Sequence, residues 1–302
     1  MSRSAFRKWT RRILRILVVG LVLGLLLIHF VAPRLIVSRK AKPAESAVFD
    51  PFRAEMLTIR GHEEIALAAQ LVEPMHRDSI RGVLIFIHGI GSNKEAFTDS
   101  AKAYAKLGFV SFVFDQRAHG ESGGKFITYG YHEKLDLERI VTFLRERYPN
   151  LPLGVWGTSL GGAVALQALA HDPRLDYGIV SSTFADLSTV VFEYQRRYLK
   201  GIGLRPVTNY ALRRAGSIAG FEPAEVRPAE AARHITQPIL LIHGDDDRRI
   251  DLRHGREIYA NLASTDKELI VVPGGDHLNT FKTGGEDLAE RVVDFLERVE
   301  KR

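Results

Sequence analysis

Ser159 lies within "GTSLGG", residues 157–162, where an apolar strand-like run, "LGVWG", gives way to a helical one, "LGGAVALQALA". A serine hydroxyl is a poor nucleophile near neutral pH. It becomes reactive when an imidazole within hydrogen-bond reach takes its proton and a carboxylate holds that imidazole in place. Side chains of both kinds follow later in the chain. "PILLIHGDDDRRI" closes one apolar run in Asp245, Asp246 and Asp247, and "ELIVVPGGDHLN" closes the next in Asp276 and His277. Together these residue types point to attack of an activated serine on an acyl carbon.

The glycines around the serine have a mechanical reading. A sharp strand-to-helix turn strains the backbone at its central residue and brings neighbouring chain very close, so Gly157 and Gly161 remove side chains that would collide. The strain lifts the hydroxyl above the sheet, and the helix that follows aims its N-terminal amides at the same place, where negative charge is tolerated. Glycine and serine are common, so GxSxG draws its weight from this context.

The elements that must position these groups can be read from the apolar pattern. "EMLTIRG" and "EIALAAQLVEP" form an initial antiparallel pair, followed by strands in "GVLIFIHG", "FVSFVFD", "LGVWGTS", "YGIVSST", "PILLIHG" and "ELIVVPG". Helical segments fall near 95–107, 132–148, 160–171, 252–263 and 285–300. The alternation predicts a mostly parallel eight-stranded sheet with helices on both faces, and several strands are apolar without alternation, as doubly covered strands are. Loops at the C-terminal ends of parallel strands share one rim, where Ser159, an acid among 245–247 and His277 can meet. Between "YGIVSST" and "PILLIHG" the interval is far longer than a crossover needs. Residues 185–233 there are expected to form a helical cap insertion, basic and aromatic, read as a packed apolar face backed by a solvated one.

Five motifs carry a resemblance to the α/β-hydrolase superfamily: "HGIG" at 88–91, "DQRAHGES" at 115–122, "GTSLGG", "HGDDD" at 243–247 and "GGDH" at 274–277. The resemblance covers essentially residues 53–300, and the chain order Ser, Asp, His matches it. It implies an α/β-hydrolase fold with catalytic Ser159, Asp247 and His277, and Asp247 rather than Asp245 or Asp246 as the acid. It also implies an oxyanion hole from the backbone amides of Ile90 and Leu160. His88 is read as architectural, and "SNKE" at 92–95 as a capping box for the next helix. The chain departs from the family's common DxRGHGxS at Ala118, which stands where glycine is usual, and at Asp251, where proline is common. No cofactor and no metal are expected: His119, His132, His234, His243 and His254 lack ligand spacing, and the chain has no cysteine.

The N-terminus is of another kind. Residues 16–32 carry no charge, and a helix over 13–32 would span about 30 Å at ~1.5 Å per residue, enough to cross a bilayer. The run is longer than a signal-peptide core and lacks a small-x-small cleavage site, so a single-pass anchor is the expectation, with 1–12 as a basic lead and 33–52 as a linker. Six basic residues precede the run and four (Arg34, Arg39, Lys40, Lys42) follow it, which predicts a main domain outside the cytoplasm. Residues 1–42 hold ten of the 42 Lys and Arg and none of the 36 Asp and Glu. Residues 43–302 therefore carry 32 basic against 36 acidic residues, a net of −4, and no nucleic-acid partner is expected. No protein partner is predicted either.

These observations converge on a membrane-anchored serine hydrolase acting on a small acyl ester, thioester or lipid-like substrate. Two other readings stay open: a peptidase of the prolyl-aminopeptidase type, which uses the same triad, and a non-catalytic binding module on the same fold.

Overall fold

The computed structural model describes residues 3–38 and 47–301. Arg39, Lys40 and Lys42 of the basic count, and Pro43 of the expected linker, lie outside the described residues. Eight strands form one sheet in the order β1-β2-β4-β3-β5-β6-β7-β8: β1 Arg53–Arg60, β2 Ala66–Glu73, β3 Gly82–Ile87, β4 Phe109–Phe114, β5 Leu153–Thr158, β6 Tyr177–Ser181, β7 Ile239–Gly244 and β8 Lys267–Val272. β1 pairs antiparallel with β2 and β2 with β4, and all other pairings are parallel. The α/β-hydrolase architecture expected from the motifs is the one observed.

The helices are α1 Arg3–Leu26, α2 Ala32–Val37, α3 Thr98–Lys106, α4 Glu133–Arg147, α5 Leu160–His171, α6 Leu187–Tyr198, α7 Arg205–Ala219, α8 Pro228–Ala231, α9 Leu252–Asn261 and α10 Thr280–Glu300, of which α4 and α5 cover one face of the sheet and α3 and α10 the other. The double cover explains the composition of the strands. Along β3, Val83, Ile85 and Ile87 point into the core shared with α4 and α5, while Leu84 and Phe86 point into the core shared with α3 and α10. Every residue of β3, β4 and β7 is buried. Each large aliphatic or aromatic side chain so buried stabilises the fold by about 1.5–3 kcal/mol relative to exposure.

The parallel register aligns the strand ends. Ile87 pairs with Gly157, Thr158 with Ser181 and Gly244 with Val272, so the loops after β3, β5, β7 and β8 leave the sheet at one edge.

At the N-terminus a helical stretch, Phe6–Val37, is long and apolar enough to cross a membrane, with a mean hydropathy of 2.6 over its most apolar window. Its side chains are largely unpacked; Leu17 and Leu21 are each 63% exposed. The linker expected from residue 33 begins later. Pro33 cannot donate to the carbonyl four residues back, and the helix widens into a π turn over Leu27–Val31 ahead of it. It then resumes as α2, because Pro33 and Val37 are buried and α2 packs on α7. The carbonyl of Ile36 accepts from the Tyr129 hydroxyl at 2.6 Å, and that of Val37 from the Ile127 amide at 3.0 Å.

Candidate active site

Ser159 forms the turn between β5 and α5 with φ +56° and ψ −117°, a conformation that non-glycine residues rarely adopt. Close approach accounts for its two glycines. A Cβ at Gly157 would lie 2.1 Å from the carbonyl oxygen of Gly161, and one at Gly161 would lie 1.9 Å from that of Ile87. Any side chain would push the turn apart. The Ser159 amide donates to Ser181 at 2.9 Å and the Thr183 hydroxyl donates to the Ser159 carbonyl at 2.7 Å, which ties the turn to the end of β6.

His277 and Asp247 meet Ser159 on the common rim. His277 Nε2 is 3.0 Å from Ser159 Oγ, and His277 Nδ1 is 2.8 Å from Asp247 Oδ2. The loop bearing His277 is braced by Asp276, whose carboxylate accepts from the amides of Leu278 and Asn279. The other oxygen of Asp247 accepts from the amides of Arg249 and Ile250, each at 2.9 Å. Burial works against the carboxylate, but the His277 hydrogen bond and these amides outweigh it and hold Asp247 below the usual carboxylate range. His243 lies 3.7 Å from Asp247, yet burial lowers its pKa and its Nε2 pairs with the Ile250 carbonyl at 2.8 Å.

The neighbouring acids turn elsewhere. Asp245 accepts from the Gly274 amide at 2.6 Å, stapling the β7 and β8 loops, and Asp246 pairs with Arg248 at 3.0 Å. Asp251, at the position where proline is common, caps α9 by accepting from the Arg253 amide.

Leu160 opens α5, so its amide is among the first-turn groups without an intrahelical acceptor. Ile90 sits in the loop after β3, which passes close to the serine: a Cβ at Gly89 would lie 3.4 Å from that of Ser159. The supports of this loop are ones that motif reading did not supply. The capping-box reading of "SNKE" is corrected: Asn93 occupies the N-cap position without a side-chain cap, and the Lys94 amide donates instead to Asp115 Oδ1 at 2.7 Å. The Lys94 ammonium, 2% exposed, reaches Asp115 at 3.3 Å, Glu121 at 2.6 Å and Glu95 at 3.0 Å. Burial opposes its charge, but the hydrogen bonds to Glu121 and Glu95 and the charge of Asp115 raise its pKa. A lysine inside a polar tetrapeptide gives no sign of burial; the signal was Asp115 in "DQRAHGES".

His88 is part of the same support. Its Nε2 accepts from the Gln116 amide at 3.1 Å, so its proton resides on Nδ1 and is donated to the Gly89 carbonyl at 2.8 Å. Burial, then the neighbouring His119, lowers its pKa to about 4. His119 Nε2 in turn accepts from the Gly91 amide at 3.3 Å. Ala118 keeps the backbone shape that glycine would give, at φ +59° and almost fully buried.

α6 reaches this rim. The Arg197 guanidinium donates to the carbonyls of Arg248 and Arg249, next to Asp247. Glu193 pairs with Arg253 and, at 3.0 Å, with the buried His254.

Comparison with known proteins agrees with this architecture. A family model described as serine aminopeptidase, S33, matches residues 78–219 and 224–282. The chain is similar to YqkD of Bacillus subtilis, 28% identical over 221 residues that cover 72% of this chain and 71% of that one. It is also 26% identical to a monoacylglycerol lipase of Mycolicibacterium smegmatis, over 65% of this chain and 81% of the lipase. An esterase of Pyrococcus furiosus superposes with a TM-score of 0.72 at 23% identity, over 87% of this chain and 98% of the esterase, a likeness of fold.

Proposed function

Because the chain belongs to the serine aminopeptidase S33 family and has the α/β-hydrolase fold, we propose that it is a serine hydrolase that cleaves a carboxylic ester or thioester through an acyl-enzyme on Ser159. The reading rests on one observation, the hydrogen-bonded run from Asp247 through His277 to Ser159 on a strained turn. In this reading the Ser159 hydroxyl gives its proton to His277 Nε2 as Oγ attacks the acyl carbon. Asp247, holding Nδ1–H, stabilises the imidazolium. The amides of Ile90 and Leu160 receive the oxygen that becomes negative, each such donor being worth about 3 kcal/mol at the transition state. His277 then returns the proton to the leaving alcohol or thiol, and water repeats the sequence to release the acid.

The substrate class is proposed as small acyl esters or lipid-like esters, in keeping with the monoacylglycerol lipase and the esterase among the similar proteins. The apolar N-terminal helix supports attachment to a membrane through residues 13–32, and the six basic residues before that stretch against four after it support a main domain on the extracytoplasmic side. The family's description favours a second reading, an aminopeptidase. That activity needs an acid for the substrate's amino terminus, and Glu193 and Asp246 are already paired with cations.

A fluorophosphonate probe is expected to label the wild-type chain and leave Ser159→Ala unlabelled; equal labelling of both would dismiss Ser159 as nucleophile. Turnover of p-nitrophenyl esters beside aminoacyl naphthylamides separates the two substrate readings, and exclusive naphthylamide cleavage would reverse the preference.

A further inference from the structure

The connection between α6 and α7 presents apolar side chains where a soluble surface would not. Tyr198 is 73% exposed and Ile202 67%, with Leu199 and Leu204 exposed beside them. Arg196, Lys200 and Arg205 are interleaved with them and exposed as well. Single exposed apolar residues are ordinary, but four within seven positions, flanked by cations, form a patch of the kind that rests in a membrane interface.

The position of this patch relative to the N-terminal helix follows from α7. Its first turns, through Pro206, Val207 and Tyr210, face Val22, Leu26 and His29 across an apolar groove. The Tyr210 hydroxyl and His29 Nδ1 are hydrogen-bonded, so these two polar atoms find each other within the protein, as hydrocarbon surroundings favour. Val22 lies ten residues, and His29 three, before the end of the 13–32 stretch. At ~1.5 Å per residue the contact zone is therefore about 5–15 Å inside that end. If residues 13–32 cross the hydrocarbon, the start of α7 and the connection leading into it lie below the headgroups of the leaflet from which the main domain emerges.

We infer that residues 198–204 insert into that leaflet beside the N-terminal helix, with Arg196, Lys200 and Arg205 reaching back to anionic headgroups. The inference rests on the proposed membrane span of residues 13–32. Its physical basis is burial of the four apolar side chains together with attraction of the three cations to anionic lipid. It also brings the lipid phase within one helix of the candidate triad, because α6 carries both Tyr198 at its end and Arg197, bonded to the Asp247 loop. An acyl substrate dissolved in the same leaflet then has a short path to Ser159.

The absence of cysteine from the chain makes the test direct. Ile202→Cys, Leu21→Cys and Lys106→Cys are each labelled with an environment-sensitive nitrobenzoxadiazole dye in the full chain. Each is reconstituted in phosphatidylcholine vesicles with and without phosphatidylglycerol, after thermal unfolding matching the wild type has established an intact fold. The Ile202 probe is expected to blue-shift and to lose roughly half of its emission to a doxyl quencher placed high on the acyl chain, more so with anionic lipid. The Leu21 probe should be quenched by a deep doxyl group and the Lys106 probe by neither. A water-like, unquenched Ile202 probe beside a quenched Leu21 probe would overturn the insertion while leaving the span intact. An unquenched Leu21 probe would remove the span, and the inference with it.

Discussion

Asp115 and Asp247 stand just beyond the C-terminal ends of two strands of one sheet, β4 and β7, both nearly withdrawn from water at 1% and 5% exposed, yet their surroundings differ in kind. Asp115 accepts from the amides of Lys94 and Glu121 and faces the buried Lys94 ammonium. Asp247 likewise accepts from two amides, but among the described residues its other oxygen faces only imidazoles, His277 at 2.8 Å and the depressed His243 at 3.7 Å. A buried carboxylate with a fixed cation is a clamp, since its charge is already compensated. One whose only mobile partner is an imidazole keeps charge in reserve for the moment that imidazole becomes protonated. The first arrangement shapes the loop that carries Ile90; the second addresses the proton transfer proposed for His277.

The sharpest way to break this contrast is at the triad. His277→Ala and Asp247→Asn are each expected to lower kcat on a p-nitrophenyl ester by roughly 10⁴-fold with a smaller change in KM. A loss of less than about tenfold in Asp247→Asn would make it a clamp like Asp115. Lys94→Met should act on the other side of the comparison. It leaves Asp115 and Glu95 buried without their cation and is expected to cost about 3–5 kcal/mol of stability, read as a lower denaturant midpoint at unchanged slope. An unchanged midpoint would mean that the clamp carries no net stabilisation.

The loop between them responds to pH. Burial lowers the His88 pKa from 6.5 to about 4, so below pH 6.5 the unfolded chain binds a proton that the native state refuses. Stability from this group is complete above pH 6.5 and falls as pH drops towards 4, by up to about 3 kcal/mol. His119, also depressed, adds to this loss below pH 6.5, whereas Asp247, held below the ordinary 3.8, adds its own loss only at more acidic pH. Replacement by a side chain that does not titrate, His88→Gln, should flatten the unfolding midpoint between those pH values; an equally steep profile would assign the dependence elsewhere. The smallest effect is expected at Ala118→Gly. Relief of the φ +59° backbone is offset by the lost methyl and by greater freedom in the unfolded chain, leaving a net change within about 1 kcal/mol by thermal unfolding.

Much of this architecture is legible in one dimension. Unbroken apolar runs mark strands buried on both faces, and their alternation with helical patterns dictates the mostly parallel sheet, because hydrophobic periodicity is a local property that burial merely reads out. Gly157 beside Ser159 is local too, since a Cβ there would meet Gly161 of the same turn, although Gly161 itself answers to the Ile87 carbonyl of β3. Apolar and turn patterning cannot say which of Asp245, Asp246 and Asp247 faces His277, thirty residues away, a choice that only the resemblance of "HGDDD" implied, nor that Lys94 is drawn inside by Asp115 and Glu121. Nor does it predict that helix continues through Pro33 to Val37, where packing on α7 outweighs the proline's missing donor. Those outcomes were decided by tertiary structure, because a buried charge, an imidazole or an interrupted helix is stabilised by whichever distant groups the fold brings against it, and their identity is written nowhere in the neighbouring residues.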